Sequence, residues 1–426
     1  MSTSAALFDP LRLPSGVVVP NRVAKAAMEE SMADAQHAPG AELQRLYRAW
    51  ADGGSGLIIT GNVMIDSRAL TGPRGVVLED DAHLDRFARW AEASRAQGAL
   101  ALMQINHPGR QVYAAMGQPA IAPSAIALDI PGFSKFFAQP QAMSEAQIHE
   151  QIARFAHTAR LAERAGFSGV EIHAAHGYLL SQFLSPLSNH RDDDWGGSLA
   201  NRARFLLEVV RQVRAVVSAD FCVAVKLNSA DFQRGGFEAS DALHVIEMLN
   251  ELRVDLIEIS GGSYESPAMN GTARDGRTLA REAYFLEFAK DIVKVARMPV
   301  MVTGGIRRRE VAETVLAGGI AIAGIATALS CAPQLPCQWR DGQNLDIEVP
   351  RVGWKNKALA ATASMAVIKT QLQRIGEGRA PKPGVSPFLA LLRSQLKTRA
   401  ESKRYRQWLA DRAATPPPTG SEPLSA

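Results

Sequence analysis

Three side chains that can donate protons lie close together near the middle of the chain. His173 and His176 occur in the segment G-V-E-I-H-A-A-H-G-Y, and Tyr178 follows two residues later. Two imidazoles that converge on one oxygen can stabilise negative charge there, and a phenol can supply a proton. A metal pair or simple packing would also use histidines, but a third metal ligand is not evident nearby. The spacing favours a catalytic trio.

Two further polar residues interrupt apolar runs. Gln104, in L-M-Q-I-N, can donate and accept at once, which suits a ring carrying both C=O and N–H groups. An amide in a cap or a core network would look the same. Lys226, in V-A-V-K-L-N, is costly to bury without a counter-charge. It could stabilise the anionic edge of a reduced flavin, or it could pair with Glu258 or Glu171 on a neighbouring strand.

A pair of glycines, Gly304 and Gly305, follows another apolar run in M-V-T-G-G-I. Their main-chain N–H groups can approach an oxyanion closely because no Cβ intervenes. In barrels that bind phosphate, the ligand lies after the seventh strand, beside the loop of the eighth. Gly-Gly is also common in ordinary turns, so the interpretation depends on its position.

The elements that must position these residues alternate along the chain. Short apolar runs typical of strands covered on both faces are each followed by a helical pattern. The predicted strands are Val23–Ala27, Leu57–Gly61, Ala99–Gln104, Gly169–His173, Cys222–Leu227, Leu256–Ser260, Val300–Thr303 and Ile320–Gly324, and the predicted helices cover 41–53, 82–97, 144–166, 200–218, 239–252, 282–296 and 309–317. Eight such units predict an α/β fold, a (β/α)8 TIM barrel. An open doubly wound sheet is the alternative, but its G-x-G-x-x-G fingerprint is absent.

Segments outside these units predict the loops and the end of the molecule. The stretches 105–143 and 262–281 should form long loops on the carboxyl-terminal face of the barrel, where active sites are built. We expect residues 1–340 to form the barrel. Residues 341–426 should form a C-terminal extension with helices over about 355–376 and 386–412 and a disordered end.

Composition narrows the class of protein. Of 426 residues, 46% are hydrophobic and 21% charged, an ordinary globular balance. The net charge is +4. The segment from Pro381 onward has eight Lys and Arg residues but only three acidic ones, so it accounts for the positive charge of the chain. The rest of the chain therefore gives no reason to expect a basic groove for nucleic acid. The three cysteines show no C-x-x-C spacing, which disfavours cysteine-ligated metals. The sequence shows neither a signal peptide nor a long apolar run, so we expect a cytoplasmic protein. We expect a small-molecule substrate and no nucleic-acid or membrane partner, and we leave open whether the protein forms a homo-oligomer.

The motifs together resemble a known family. L-F-D-P-L-R-L, V-P-N-R-V, T-G-N-V-M-I-D, Q-I-N-H-P-G-R-Q and V-T-G-G-I occur in order, around the long block A-G-F-S-G-V-E-I-H-A-A-H-G-Y-L-L-S-Q-F-L-S-P-L-S-N-H-R-D-D-D-W-G-G-S-L-A-N-R. Over about residues 5–340 the chain resembles the Old Yellow Enzyme class of FMN-dependent ene-reductases and NAD(P)H:flavin oxidoreductases. The resemblance implies FMN across the barrel top and NADH or NADPH as electron donor.

The resemblance also assigns roles to residues. Ala27 and Met28 would lie against the isoalloxazine through main chain, and Gly61 would approach its pyrimidine edge. Gln104 and Lys226 would bind that edge. The phosphate would be held by Gly304 and Gly305 together with Ala326 and Thr327 of the eighth-strand loop. His173 and His176 would bind the substrate oxygen, with Tyr178 as proton donor.

Four departures from the family pattern are visible. Glu29 stands where Cys or Thr usually tunes the flavin, and Lys226 replaces an Arg, which keeps the charge but loses the bidentate fork. Ala326-Thr327 replaces Gly-Arg, so phosphate binding there would depend on backbone N–H groups. The tail lacks the cysteine cluster and second nucleotide domain of the dienoyl-CoA reductase relatives, so we expect no internal electron relay.

Three other functions compete with an ene-reductase. An FMN dehydrogenase of amines or alicyclic compounds would use the same fold. A tRNA dihydrouridine synthase needs a cysteine on a barrel-top loop, whereas Cys222 begins a strand and Cys331 and Cys337 lie past the barrel. A catalytically silent barrel is disfavoured by the intact trio.

Overall fold

Eight parallel strands close into a barrel in the computed structural model, which describes residues 6–266, 285–350, 352–382 and 384–414. The strands are β1 (Val23–Lys25), β2 (Leu57–Ile59), β3 (Leu100–Asn106), β4 (Gly169–Ala174), β5 (Cys222–Asn228), β6 (Leu256–Ser260), β7 (Val300–Thr303) and β8 (Ile322–Ile325). Each strand pairs in parallel with the next, and β8 pairs with β1. The predicted (β/α)8 TIM barrel is confirmed.

Helices surround this barrel and extend beyond it. They are α1 (Ala41–Asp52), α2 (Leu84–Ser94), α3 (Glu145–Arg164), α4 (Leu179–Leu184), α5 (Leu199–Val216), α6 (Ala239–Leu249), α7 (Leu286–Val293), α8 (Arg309–Ala317), α9 (Thr327–Cys331), α10 (Leu335–Arg340), α11 (Lys357–Gly376) and α12 (Pro387–Ala414). Short strands at Leu11–Arg12 and Val18–Val19 form a hairpin, and Val63–Met64, Val76–Val77, Ala120–Ala122 and Pro140–Ala142 pair outside the ring.

Several predicted ends were wrong by a few residues. β2 stops at Ile59 because the N–H of Gly61 leaves the strand ladder and donates to a side chain. The helix predicted over 82–97 ends at Ser94 and continues as a 3-10 turn, where Gln97 has a φ of 57° that an α-helix does not allow. Part of the predicted helix 282–296 and most of the predicted loop 262–281 lie outside the described residues.

The inward side chains of the barrel strands form two layers. The lower layer, which we call the apolar floor, consists of Leu57, Leu102, Cys222, Leu256, Met301 and Ile322. Because side chains alternate along a strand, inward positions recur nearer the carboxyl end, and each of β3 to β6 carries a polar residue at one of them. These are Gln104, Glu171, Lys226 and Glu258, which we call the polar layer, and all four are buried.

The C-terminal helices pack on the barrel, as predicted. α11 lies against α1, and α12 lies against α11 and the upper loops. The hydroxyl of Tyr405 is 2.7 Å from the carbonyl oxygen of Ser67, and Arg412 pairs with Glu79 at 2.8 Å. The end predicted to be disordered lies outside the described residues from 415 onward. Within the described ranges, the membrane search finds no helix with the length and apolarity needed to span a bilayer.

Candidate functional site

The end of β4 brings the predicted trio together. The ring centroids of His173 and His176 are 5.0 Å apart, and those of His173 and Tyr178 are 4.9 Å apart. The main-chain N–H of Ala175 lies 3.2 Å from Nδ1 of His173, so Nδ1 accepts and Nε2 carries the proton. Nε2 of His176 is 2.7 Å from the hydroxyl of Ser260 at the end of β6. The two rings are thus oriented by different strands.

Both imidazoles are neutral at physiological pH. Burial lowers the pKa of His173 far below its usual value, and the neighbouring His176 and Lys226 lower it further. Burial, assisted by Lys226, lowers the pKa of His176 to about 3. Neutral rings can donate N–H bonds to an oxygen without first binding a proton. The pair can therefore act as hydrogen-bond donors throughout the neutral pH range.

Tyr178 is held as a neutral phenol beside a second tyrosine. Burial raises its pKa well above 10, and its hydroxyl lies 3.1 Å from that of Tyr264 and 3.5 Å from the amide nitrogen of Asn62. Sequence reasoning missed Tyr264, although it follows the predicted sixth strand by only a few residues. A polar side chain just beyond a barrel strand was the available signal.

The polar layer lies below the trio. Nε2 of Gln104 donates to Glu171 at 2.7 Å, and Nζ of Lys226 donates to Glu258 at the same distance. The strand register explains both pairs, since Glu171 is opposite Gln104 and Lys226 is opposite Glu258. The ion-pair alternative for Lys226 is the arrangement found in the structure.

The pKa values of the two acids of this layer shift in opposite directions. Oε2 of Glu171 and Oε2 of Glu258 are buried, and neither accepts a hydrogen bond from a side chain or from the main chain of the described residues. Burial, reinforced by repulsion from Glu258, raises the pKa of Glu171 far above its usual value. Burial would also raise the pKa of Glu258, but Lys226 outweighs it and the net shift is downward. These opposite shifts favour a neutral Glu171 beside an ionised Glu258, which together with Lys226 would leave the layer without net charge.

The upper wall of the barrel is formed by main chain around Gly61. A Cβ on this glycine would lie 2.1 Å from Oε2 of Glu30 and 2.2 Å from the carbonyl oxygen of Met28, so only glycine fits. Its N–H donates to the hydroxyl of Tyr47 at 2.8 Å. The segment around Ala27 and Met28 after β1 is thus packed directly on the end of β2.

Two turns lie side by side across the barrel from Gln104. Gly304 and Gly305 follow β7, and Ala326 and Thr327 connect β8 to α9. Gly305 has a φ of 72°, which a residue with a Cβ rarely adopts. Because Thr303 and Gly324 are in register on adjacent strands, the two turns meet at one edge of the mouth.

Arg110 anchors the long loop after β3. Its guanidinium donates to the carbonyl oxygens of Ile126 and Ala127 and pairs with Glu265 at 2.7 Å. Glu265 also accepts the N–H of Asp129. These contacts give Arg110 a structural role, because they tie the loop after β3 to the segment after β6.

The donor set suits a flavin mononucleotide. Its pyrimidine ring presents carbonyl oxygens and an N–H, and the polar layer contains an amide and an ammonium that can hydrogen-bond to such groups. The glycine turn beside the start of α9 presents main-chain N–H groups at the far edge of the mouth. Among the described residues, no cluster of three or more His, Cys, Asp or Glu side chains could hold a metal ion.

Comparisons with known proteins agree with this geometry. Residues 6–346 match the model of the NADH:flavin oxidoreductase / NADH oxidase family. An NADH-dependent flavin oxidoreductase of Neonectria sp. is 40% identical over 352 residues, covering 77% of this chain but only 46% of the relative, so this chain spans about half of that protein. One from Hypocrea jecorina is 37% identical, covering 77% of this chain and 87% of the relative. An old yellow enzyme homologue from Zymomonas mobilis superposes with a TM-score of 0.70 at 25% identity, covering 81% and 95%.

Proposed function

The chain belongs to the NADH:flavin oxidoreductase / NADH oxidase family, and from this membership and the barrel mouth we propose that it is an FMN-dependent oxidoreductase. It takes hydride from NADH or NADPH and passes it to an α,β-unsaturated carbonyl compound or a similarly electron-poor substrate. The resemblance to the Old Yellow Enzyme class is confirmed by the family match and the structural neighbour.

FMN would be held by residues from six of the eight strand ends. Bound FMN supplies a ring nitrogen, N5, that accepts hydride and returns it. Gln104 and Lys226 would contact the pyrimidine edge. The remaining contacts would come from main chain: Ala27, Met28 and Gly61 against the ring, and Gly304, Gly305, Ala326 and Thr327 at the phosphate.

The substrate would be bound by its oxygen. The observation that carries this proposal is the pair of neutral imidazoles, 5.0 Å apart between centroids, with a buried phenol beside them. His173 and His176 would donate to a carbonyl or nitro oxygen and stabilise the charge that grows there as hydride arrives. Tyr178, held by Tyr264, would deliver the proton to the neighbouring carbon.

The amine-dehydrogenase alternative would favour a free negative charge near the substrate. Glu29 is the carboxylate at this rim, and it accepts a hydrogen bond from Thr71 at 2.8 Å. Lys369 of α11 lies 3.6 Å from its other oxygen and offsets its charge. A cationic amine would compete with this lysine, whereas a neutral carbonyl compound would not.

Anaerobic half-reactions test the proposal. The purified protein should be yellow, NADH or NADPH should bleach it, and cyclohexenone, N-ethylmaleimide or a nitro compound should restore the colour. A colourless protein that does not take up added FMN would contradict the cofactor assignment. Recovery with none of the three acceptors would remove the ene-reductase assignment alone.

Substitution of the histidines tests their role. Losing one oxyanion donor costs about 10²–10³-fold in rate, so His173→Ala/His176→Ala should slow reoxidation by about 10⁴-fold or more and abolish binding of a phenol to the oxidised protein. His149→Ala, on the exposed surface of α3, is the matched control and should leave both unchanged. Unchanged phenol binding in the double variant would show that the pair does not hold the oxygen.

A further inference from the structure

A lysine is enclosed on the outer side of the barrel wall, behind the main chain of Gly61. Lys25 ends β1, and its side chain is 0% exposed. Its Nζ donates to the carbonyl oxygen of Ile59 at 2.8 Å and to the hydroxyl of Tyr47 at 3.1 Å. It lies 3.7 Å from Oε1 of Glu30 and 4.5 Å from the ring centroid of Trp50. The ammonium is thus completely surrounded by polar and aromatic partners.

Tyr47 connects this cluster to the wall of the site. Its hydroxyl accepts the N–H of Gly61 at 2.8 Å and donates to Oε1 of Glu30 in a short hydrogen bond. Oε1 of Glu30 is itself 3.3 Å from the Gly61 nitrogen, and Oε2 occupies the space of a Gly61 Cβ. Movement of the Lys25, Tyr47 or Glu30 side chain would therefore move Gly61.

The barrel does not need these charges for packing. The residues in register with Lys25 on the two neighbouring strands, Ile58 and Ile325, are apolar and belong to the hydrophobic core. Replacing a buried ion pair by well-packed apolar residues is often neutral or stabilising, so its presence suggests another role. Burial lowers the pKa of Lys25 to about 8 despite Glu30, and Lys226 and Glu171 of the polar layer also act on it. The charges on the two sides of the wall are therefore coupled.

We propose that Lys25, Tyr47 and Glu30 are positioning residues for the flavin, which fix Gly61 and balance the charge behind the pyrimidine edge. The inference rests on the proposed FMN function. Reduced flavin is anionic at that edge, so the carboxylate of Glu30 repels it and the ammonium of Lys25 attracts it. Together they leave the affinity for the reduced form intact while holding the main chain in place.

The test measures how tightly the full-length apoprotein binds FMN in its oxidised and reduced forms. Lys25→Met leaves the Glu30 charge uncompensated, so the dissociation constant of reduced FMN divided by that of oxidised FMN should rise about tenfold, the effect of one poorly screened charge near the site. Glu30→Gln leaves the lysine and should lower the same ratio. Lys25→Met/Glu30→Gln should return it to within about twofold of the wild type.

Opposite shifts of this ratio in the two single variants would separate an electrostatic role from a structural one. A structural role would weaken the binding of oxidised and reduced FMN alike. Arg214→Met is the matched control, because it breaks a buried ion pair with Asp255 just before β6, at the amino-terminal end of the barrel. It should lower the melting temperature and leave the ratio unchanged.

Two failures are distinguishable. Wild-type protein that binds neither form would overturn both the proposed function and this inference. Normal binding with equal ratios in all variants would overturn only the inference. If Lys25→Met does not fold, Glu30→Gln decides the question alone, because it must lower the ratio.

Discussion

The apolar floor and the polar layer share three strands of the barrel, β3, β5 and β6, but the floor is hydrophobic and the polar layer is charged and hydrogen-bonded. On β3, Leu102 belongs to the floor and Gln104 to the polar layer, and on β6 Leu256 is followed by Glu258. Both layers are fully enclosed. Buried side chains can thus stabilise the barrel or place polar groups near its mouth, and their height in the barrel decides which.

Energetics explains the division. Burying a Leu side chain contributes about 1.5–3 kcal/mol, whereas the desolvation of an ion pair can exceed its Coulombic gain. The floor therefore stabilises the barrel. The polar layer places an ammonium, an ionised carboxylate and a neutral carboxyl at the carboxyl ends of the strands, where loops open to ligand.

Removing the cation of the polar layer should have the largest effect on stability. Lys226→Met leaves Glu258 buried without its counter-charge, and we expect the free energy of unfolding to fall by about 4 kcal/mol in urea titrations at pH 7. Lys226→Met/Glu258→Gln removes both charges and should regain more than half of that loss. Equal losses in both variants would mean that the lysine stabilises through packing and not through its charge.

A cavity in the floor should cost less and should not reach the site. Leu256→Ala removes a buried side chain, and we expect a loss of about 3 kcal/mol in the free energy of unfolding. FMN affinity should stay within about threefold of the wild type, because the polar layer on β6 keeps its backbone. A larger loss of affinity would show that the two layers are mechanically coupled, which would break the comparison.

Much of this division could be predicted from the sequence. The apolar runs predicted eight strands, and Gln104 and Lys226 stand out in the sequence because each is a polar residue within such a run. The acids weighed as partners for Lys226 were Glu258 and Glu171, and register made Glu258 the partner. The sequence does not give this register, because it is fixed only when neighbouring strands pair in the closed barrel.

The rest depended on contacts between distant segments. Lys25 lies in a strand, as Lys226 does, but its partners Tyr47 and Glu30 come from a helix and a loop that no periodicity connects to it. The opposite pKa shifts of Glu171 and Glu258 follow from burial and from nearby charges, which a linear sequence does not display. The short non-barrel strands were missed because two or three residues are too few to show a pattern.

The smallest effect is expected where the polar layer is already neutral. Burial and Glu258 raise the folded-state pKa of Glu171 above the unfolded value, so the folded protein keeps a proton that the unfolded chain loses as the pH rises through about 4.5. That stabilising contribution is complete below about pH 4.5 and declines above it, by at most about 1.4 kcal/mol per pH unit. Glu171→Gln replaces the neutral acid by an amide that cannot ionise, so the variant should be within about 1 kcal/mol of the wild type at pH 5 and gain on it towards pH 8. Urea titrations at both pH values measure this difference, and a variant that gains nothing on the wild type between pH 5 and pH 8 would show that the folded protein does not retain this proton.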